Sequence, residues 1–325
     1  MRNLLRKVQE ILSTPQRLKG LSIIRVVFGI YMVGMYCLNL GNARLLWGNT
    51  GAIPENETFR PPHFPILSLY TLTSSHSAHI VLYALGIILA ILFASGYYTR
   101  ITSILFFVTT ASLYNRNEML MDGGDNLLVI ISLWMMLTNC SGRPSWWSDT
   151  RWRSTLTGTL LALMHNVGVI AIVAQVILLY TTSAFSKMGG NMWRDGTAIY
   201  YIMKSKDFDM TPYSAMMWRS DIVVTLATYS TMFVQAIWPI LIWFKPWKYM
   251  IAAAVIGMHI VIGYCMGLTW FAFLMIGVEA IMFSDAEYIT LRHRLITFWD
   301  SVKKLSFNRY PLSLEAKSIS ESIEV

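Results

Sequence analysis

Apolar runs of helix length recur along this chain, and polar connectors separate them. About 20 consecutive apolar residues cross the hydrocarbon core of a bilayer as a helix. The chain is 55% hydrophobic and has 14% charged residues, whereas soluble domains carry about 25% charged residues. The sequence therefore predicts an all-α fold, a polytopic transmembrane helical bundle.

The apolar runs predict about eight spans, with seven to nine as the range. They lie at 21–40, 78–96, 101–114, 127–138, 159–182, 222–244, 250–266 and 268–283. The fourth run is too short to cross a bilayer, so we expect it to begin within the preceding polar segment or to be partly re-entrant. Gly123 and Gly124 predict a tight turn into a helix capped by Asp125 or Asn126.

Three regions follow from this pattern: an amphipathic segment at 1–20, a transmembrane domain at 21–285 and a polar tail at 286–325. Lysine and arginine collect on the cytoplasmic side of membrane proteins. Because the first segment, the 139–158 connector and the tail are basic, we expect both termini in the cytoplasm. The net charge of +8 is then explained by topology, and we expect no nucleic-acid partner.

One lysine, Lys187, interrupts apolar sequence within the stretch YTTSAFSKMGGNMWRDGTAIYY at 180–201. We expect it in a loop, 183–220, on the outer face. A charged group at the edge of the hydrocarbon is costly, so an ionisable residue there is a functional candidate. The alternative is a lysine at a helix end whose amine reaches the headgroups.

A second polar segment, 115–126, faces the same side in this topology. Its candidate residues are Asn115, Arg116, Asp122, Asp125 and Asn126. A site between the spans could pair Lys187 with Asp122 or Asp125. Alternatively, Lys187 stays unpaired in an apolar setting, where its amine could act as a base. No further acidic cluster accompanies the two aspartates, so we expect no metal site.

Two more polar residues lie within predicted spans: His259 near the middle of the seventh and Glu279 near the inner end of the eighth. Each either lines a functional cavity or is satisfied by a neighbouring helix, and Gln235 is typical of an interhelical hydrogen bond. Signatures of soluble enzymes such as GxSxG, HExxH and the Walker loop are absent in usable context. The residues alone leave open whether the protein is an enzyme.

Four short segments, in this order and spacing, resemble the HTTM domain, the membrane domain of vitamin K-dependent gamma-carboxylase and its bacterial relatives. They are LSIIRVVFG at 21–29; YNRN at 114–117 with GGDNLL at 123–128; 180–187 with Trp193 and GTA at 196–198; and His259 with MGL at 266–268 and Phe273. The resemblance covers roughly residues 20–285.

The resemblance implies that Lys187 occupies the position of the lysine base that drives vitamin K hydroquinone oxidation in the carboxylase. The chain departs from the carboxylase at Asn115-Arg116-Asn117-Glu118, where the carboxylase has a histidine just after the asparagines, and it ends soon after the last predicted span. Length and architecture are more similar to the sporulation-delaying protein B branch. That branch is implicated, with a small companion protein, in maturing a secreted peptide toxin in Gram-positive bacteria.

The resemblance therefore implies a multi-pass protein of the bacterial plasma membrane that matures a secreted antimicrobial or toxin peptide. Its expected partners are the lipid bilayer, the peptide precursor and a small companion protein. The expected catalytic residues are Lys187, Asn115, Arg116 and Asp125, and the expected substrate contacts are Trp193, Asp122, Asn126 and His259. The alternatives are a quinone-dependent carboxylase or epoxidase-like enzyme, with a membrane quinone as cofactor, and a non-catalytic scaffold of a maturation complex.

Overall fold

The computed structural model describes residues 13–48, 51–52, 68–141, 156–208 and 211–309, without the side chains of 304–309. All regular secondary structure in these ranges is helical, so the predicted all-α class is confirmed. The predictions for 1–12, for most of the 139–158 connector and for the end of the tail lie outside the described residues.

Nine helices of ten or more residues occur in the described part. They are α1 Leu18–Leu38, α2 His76–Ser95, α3 Thr99–Arg116, α4 Gly123–Met135, α5 Leu156–Gly189, α6 Asp221–Leu241, α7 Trp247–Met266, α8 Thr269–Val278 and α9 Asp285–Arg309. A short helix also lies at Ala198–Lys204, within the segment 183–220 that was predicted as a loop. Residues 1–283 form one unit and 284–325 another.

Five described helices, α1, α2, α5, α6 and α7, are long and apolar enough to cross a membrane. Helix α3 contains six serine and threonine residues and an arginine near each end, while α4 has 13 residues and α8 has ten. These three helices are too polar or too short to count as spans on length and composition alone. The described part of the chain therefore contains several candidate membrane spans, and the number eight stays a prediction.

The first eight helices pack in chain order. Each contacts the next, and α8 packs against α1, so that the bundle closes on itself. Arg25 of α1 is buried and donates to backbone oxygens of Phe93 (2.7 Å) and Cys140 (2.9 Å). Carbonyls in the last turn of a helix lack partners within the helix. Arg25 thereby joins α1 to the end of α2 and to the chain that follows α4.

Helix α4 begins at Gly123, within the polar segment as predicted, but its cap is Asp122. The Asp122 side chain accepts hydrogen bonds from the backbone N–H groups of Gly124 (2.7 Å) and Asp125 (2.9 Å). Asp125 in turn accepts from the backbone N–H of Asp122 (3.0 Å), which completes a capping box. The prediction of Asp125 or Asn126 as the cap was wrong, because the two glycines form the first helical turn instead of a turn before it.

Candidate functional site

A cavity of about 620 Å³ lies between α5, α6, α7 and α8 and the connector that follows α5. Most of its wall is apolar and includes Leu179, Val234, Ile262 and Met275. The polar side chains on the wall are Tyr180, Ser183, Lys187, Ser230, Thr231, Gln235 and His259. A cavity of this size, mostly apolar with few polar groups, is typical of a small-molecule site.

Lys187 lies in the last turn of α5 and not in a loop, because the helix continues seven residues beyond the predicted end at 182. Its amine donates to Ser183 Oγ (2.5 Å) and to Gln235 Oε1 (2.9 Å). Ser183 also donates to Gln235 Oε1 (3.0 Å). Lys187 and Ser183 share one face of α5 since they are four residues apart. Gln235 belongs to α6, so its predicted role in an interhelical hydrogen bond is confirmed.

Trp193 covers the amine of Lys187 from the short helix Asn191–Arg194. The amine lies 5.3 Å from the centre of the indole ring, within the range of a cation–π contact. Among the described residues, no carboxylate pairs with Lys187, so the predicted pairing with Asp122 or Asp125 is not formed. The structure therefore matches the other alternative, an unpaired lysine in an apolar setting.

His259 of α7 lines the same cavity and is buried. Its Nδ1 lies 2.9 Å from the backbone oxygen of Val255. A carbonyl only accepts, so Nδ1 carries the proton and Nε2 is left as an acceptor. Nε2 has no hydrogen-bond partner in the described ranges. The imidazole centre is 6.4 Å from the ring of Tyr180 and 5.9 Å from that of Phe271.

A buried carboxylate, Glu279, adjoins this wall and is absent from the predicted site residues. It accepts hydrogen bonds from the Tyr180 hydroxyl (2.8 Å) and the Trp238 indole N–H (3.2 Å). Tyr180 itself lines the cavity. The available signal was an acidic residue within an apolar run, which is a functional candidate in a membrane protein. Nothing local in the sequence indicated its two aromatic donors.

Asp125 belongs to a different cluster. It is 2% exposed, and its Oδ1 accepts from the hydroxyls of Tyr31 (2.6 Å) and Tyr114. These contacts join α1, α3 and α4. Asp125 thus has a structural role here, since its two oxygens are occupied by three donors that include the Asp122 N–H.

The other predicted residues of the polar segment also lie off the cavity wall. Arg116 is buried and donates to the backbone oxygen of Gly48 (2.7 Å). Asn115 is half-buried in the last turn of α3, while Asp122 and Asn126 are exposed at the start of α4. From this segment, only Gly123 is among the described residues that line the cavity. The structure therefore brings together Lys187, Trp193 and His259 and separates them from the other five predicted residues.

Comparison with known proteins gives a distant relative. No family model matches the chain, and no solved structure matches it. The chain is similar to the uncharacterized protein YitO of Bacillus subtilis (strain 168), with 25% identity over 199 residues. The match covers 59% of this chain and 63% of YitO, so the chain spans less than two thirds of that relative's length.

Proposed function

We propose that this chain is a multi-pass membrane protein of the HTTM family, in the sporulation-delaying protein B branch, that acts in the maturation of a secreted peptide. The observation that carries the proposal is the meeting of Lys187, Trp193 and His259 at one largely apolar cavity. These residues come from two sequence segments that resemble the family and lie far apart in the chain. Lys187 is a base or an anchor for substrate there, and His259 Nε2 is an acceptor.

The topology we propose has eight membrane-embedded helices, α1 to α8, with both termini in the cytoplasm of a bacterial cell. Chain-order packing of the eight helices supports an up-and-down arrangement. Two basic residues lie at one end of the bundle: Arg25 of α1, which donates to the end of α2, and Lys248, which donates to the backbone oxygen of Met282 (3.3 Å). That end is the cytoplasmic one by the positive-inside rule. The cavity then lies toward the outer face, where an exported peptide is accessible.

A quinone-dependent carboxylase or epoxidase-like enzyme is the second candidate, and the composition of the cavity favours it. The wall is apolar apart from a few groups, which include an amine donor and an imidazole acceptor. In this proposal Lys187 would donate to a quinone oxygen and His259 would accept from a hydroquinone hydroxyl. A hydroquinone would supply the reducing equivalents, and dioxygen would be the oxidant that accepts them. Identification of a quinone in solvent extracts of the purified protein, lost in Lys187→Ala, is the expected result.

Mass spectrometry of the secreted peptide tests the lead proposal. The cells carry this chain together with the precursor and companion genes, and they express wild type, Lys187→Ala or no chain at all. We expect the Lys187→Ala product to match that of the deletion, although the variant protein still reaches the membrane. The mass difference names the reaction: segments missing from the wild-type product alone mean proteolytic maturation, and carbon dioxide added to the wild-type product alone means carboxylation.

The matched control is Lys206→Ala, which removes an exposed lysine from the connector that follows α5. It should leave the peptide unchanged. If Lys187→Ala also yields the wild-type peptide while the deletion does not, the chain acts as a non-catalytic scaffold. If the deletion itself leaves the peptide unchanged, the maturation proposal is wrong.

A further inference from the structure

The amine of Lys187 has no counter-charge among the described residues. Both of its hydrogen-bond acceptors, Ser183 Oγ and Gln235 Oε1, are neutral. Buried charges in proteins are normally paired with an opposite charge. Lys187 is half-buried and lines a mostly apolar wall, where water screens a charge less than it does at an open surface. The missing charge is therefore one that a ligand can supply.

A second donor lies beside this amine. Gln235 Oε1 accepts from both Ser183 and Lys187. Because these two groups donate, the amide atom that faces them is the oxygen and the other is the nitrogen. The Nε2 end then carries two N–H groups, and neither bonds to any described residue. Gln235 is 7% exposed and lines the cavity. An amine next to an amide N–H₂ suits a group that only accepts and has two oxygens, which is a carboxylate.

The rest of the wall selects for an apolar body. Side chains such as Leu179, Val234, Met258 and Ile262 line the cavity. Transfer of a ligand's apolar surface from water to this wall favours binding. We propose that the cavity binds an apolar molecule through a terminal carboxylate, with Lys187 as the charge partner and Gln235 as the second donor. This inference deepens the proposed function and rests on it for its ligand, the carboxyl terminus of an apolar peptide.

Two pairs of probes test the inference on the full chain in lipid nanodiscs, by titration calorimetry with empty nanodiscs subtracted. The first pair is the peptide acetyl-Leu-Ala-Leu-Val-Leu with a free carboxylate and the same peptide as a carboxyl-terminal amide. The second pair is dodecanoate and dodecanamide. Since bonds to a charged group are the stronger ones, we expect wild type to bind each acid about tenfold or more tightly than its amide.

Three variants assign this preference to Lys187. In Lys187→Met the ratio of acid to amide affinity should fall to about one. In Lys187→Arg the preference should persist, because the guanidinium keeps the charge although it cannot serve as a base. Lys206→Met, the matched exposed lysine, should behave as wild type. Unchanged gel-filtration profiles and thermal midpoints show that each variant is folded.

The outcomes separate this inference from the proposed function. Equal binding of acid and amide in both pairs, no measurable binding of either acid, or a preference that survives in Lys187→Met overturns the carboxylate site. None of these results touches peptide maturation, which the secreted-peptide experiment tests. A preference for dodecanoate without a preference for the peptide acid keeps the carboxylate site but removes the peptide as its ligand.

Discussion

Asp125 and Glu279 are both deeply buried carboxylates whose side-chain donors are aromatic residues and not cations. Asp125 accepts from Tyr31 and Tyr114, and Glu279 from Tyr180 and Trp238. Hydrogen bonds from hydroxyl and indole groups satisfy a buried carboxylate without a second buried charge, which would add its own desolvation cost. Each carboxylate thereby ties together three helical elements of the bundle.

Replacing Asp125 by asparagine tests this reading at the residue scale. The amide oxygen can still accept from the two tyrosines, but the amide nitrogen then faces the backbone N–H of Asp122, and two donors cannot bond to each other. We expect Asp125→Asn to lower the free energy of unfolding by about 1–3 kcal/mol. Unfolding in detergent micelles, followed by circular dichroism, measures the change.

The control for this variant is Asp207→Asn, which changes an exposed aspartate and should leave the unfolding midpoint where it is in wild type. An unchanged midpoint in Asp125→Asn would contradict the structural role of this carboxylate. Peptide maturation that fails in Asp125→Asn at full stability would restore the catalytic role expected from the sequence.

At the scale of elements, the length of α5 positions the lysine. The helix has 34 residues, which is about 51 Å at 1.5 Å per residue, whereas the hydrocarbon core is about 30 Å thick. A helix of this length extends beyond the core, and Lys187 lies in its last turn. The lysine is thus held on a rigid element beside Gln235 of α6, and not on a loop.

Gly257 of α7 offers a way to fill the cavity without disturbing the fold. A Cβ built there meets no heavy atom within 4 Å, and Gly257 lines the cavity. Leucine also favours a helix over glycine by roughly 1 kcal/mol. We therefore expect Gly257→Leu to fold at least as stably as wild type while its binding of dodecanoate, measured in nanodiscs, falls severalfold.

Two comparisons sharpen this prediction. Ala253→Leu, on an exposed face of the same helix, should bind as wild type. Gly29→Leu should fail to fold, because a Cβ at Gly29 would lie 2.5 Å from the Cβ of Ala94 in the adjacent helix. Full ligand binding by a folded Gly257→Leu protein would show that the cavity is not where the ligand is held.

In the unit formed by residues 1–283, helices α1 to α8 close into one bundle whose two ends differ. Arg25 and Lys248 donate to backbone oxygens in or after the last turns of helices. The proposed topology assigns this end of the bundle to the cytoplasm. Tryptophan and tyrosine side chains of the connector after α5 belong to the other end. Trp193 covers Lys187 there, and Lys204 lies 4.3 Å from the ring centre of Trp218.

Cysteine labelling of intact cells tests this orientation. The native cysteines, Cys37, Cys140 and Cys265, are first replaced by serine. A membrane-impermeant maleimide should then react with Asp195→Cys in intact cells, and with Lys245→Cys only after the membrane is permeabilised. The reverse pattern would place the cavity on the cytoplasmic side and would remove the exported peptide as its substrate.

The fold class could be read from the chain because the physical cause is local. The length and polarity of each run decide whether it suits a membrane helix, and these properties are read directly along the sequence. For the same reason Lys187 could be chosen as a candidate, as an ionisable residue at the end of an apolar run. The length and polarity of a run do not identify α3, α4 and α8 as membrane spans, because α3 is polar and α4 and α8 are short.

The partners of the polar side chains depend instead on how distant helices pack. Lys187 bonds to Gln235, 48 residues away, and Tyr180 to Glu279, 99 residues away. Asp125 meets Tyr31 at a separation of 94 residues, so the carboxylate expected to pair with Lys187 is already satisfied elsewhere. A hydrogen bond requires atoms within about 3 Å of each other, and only the packed bundle brings residues so far apart in sequence to that distance.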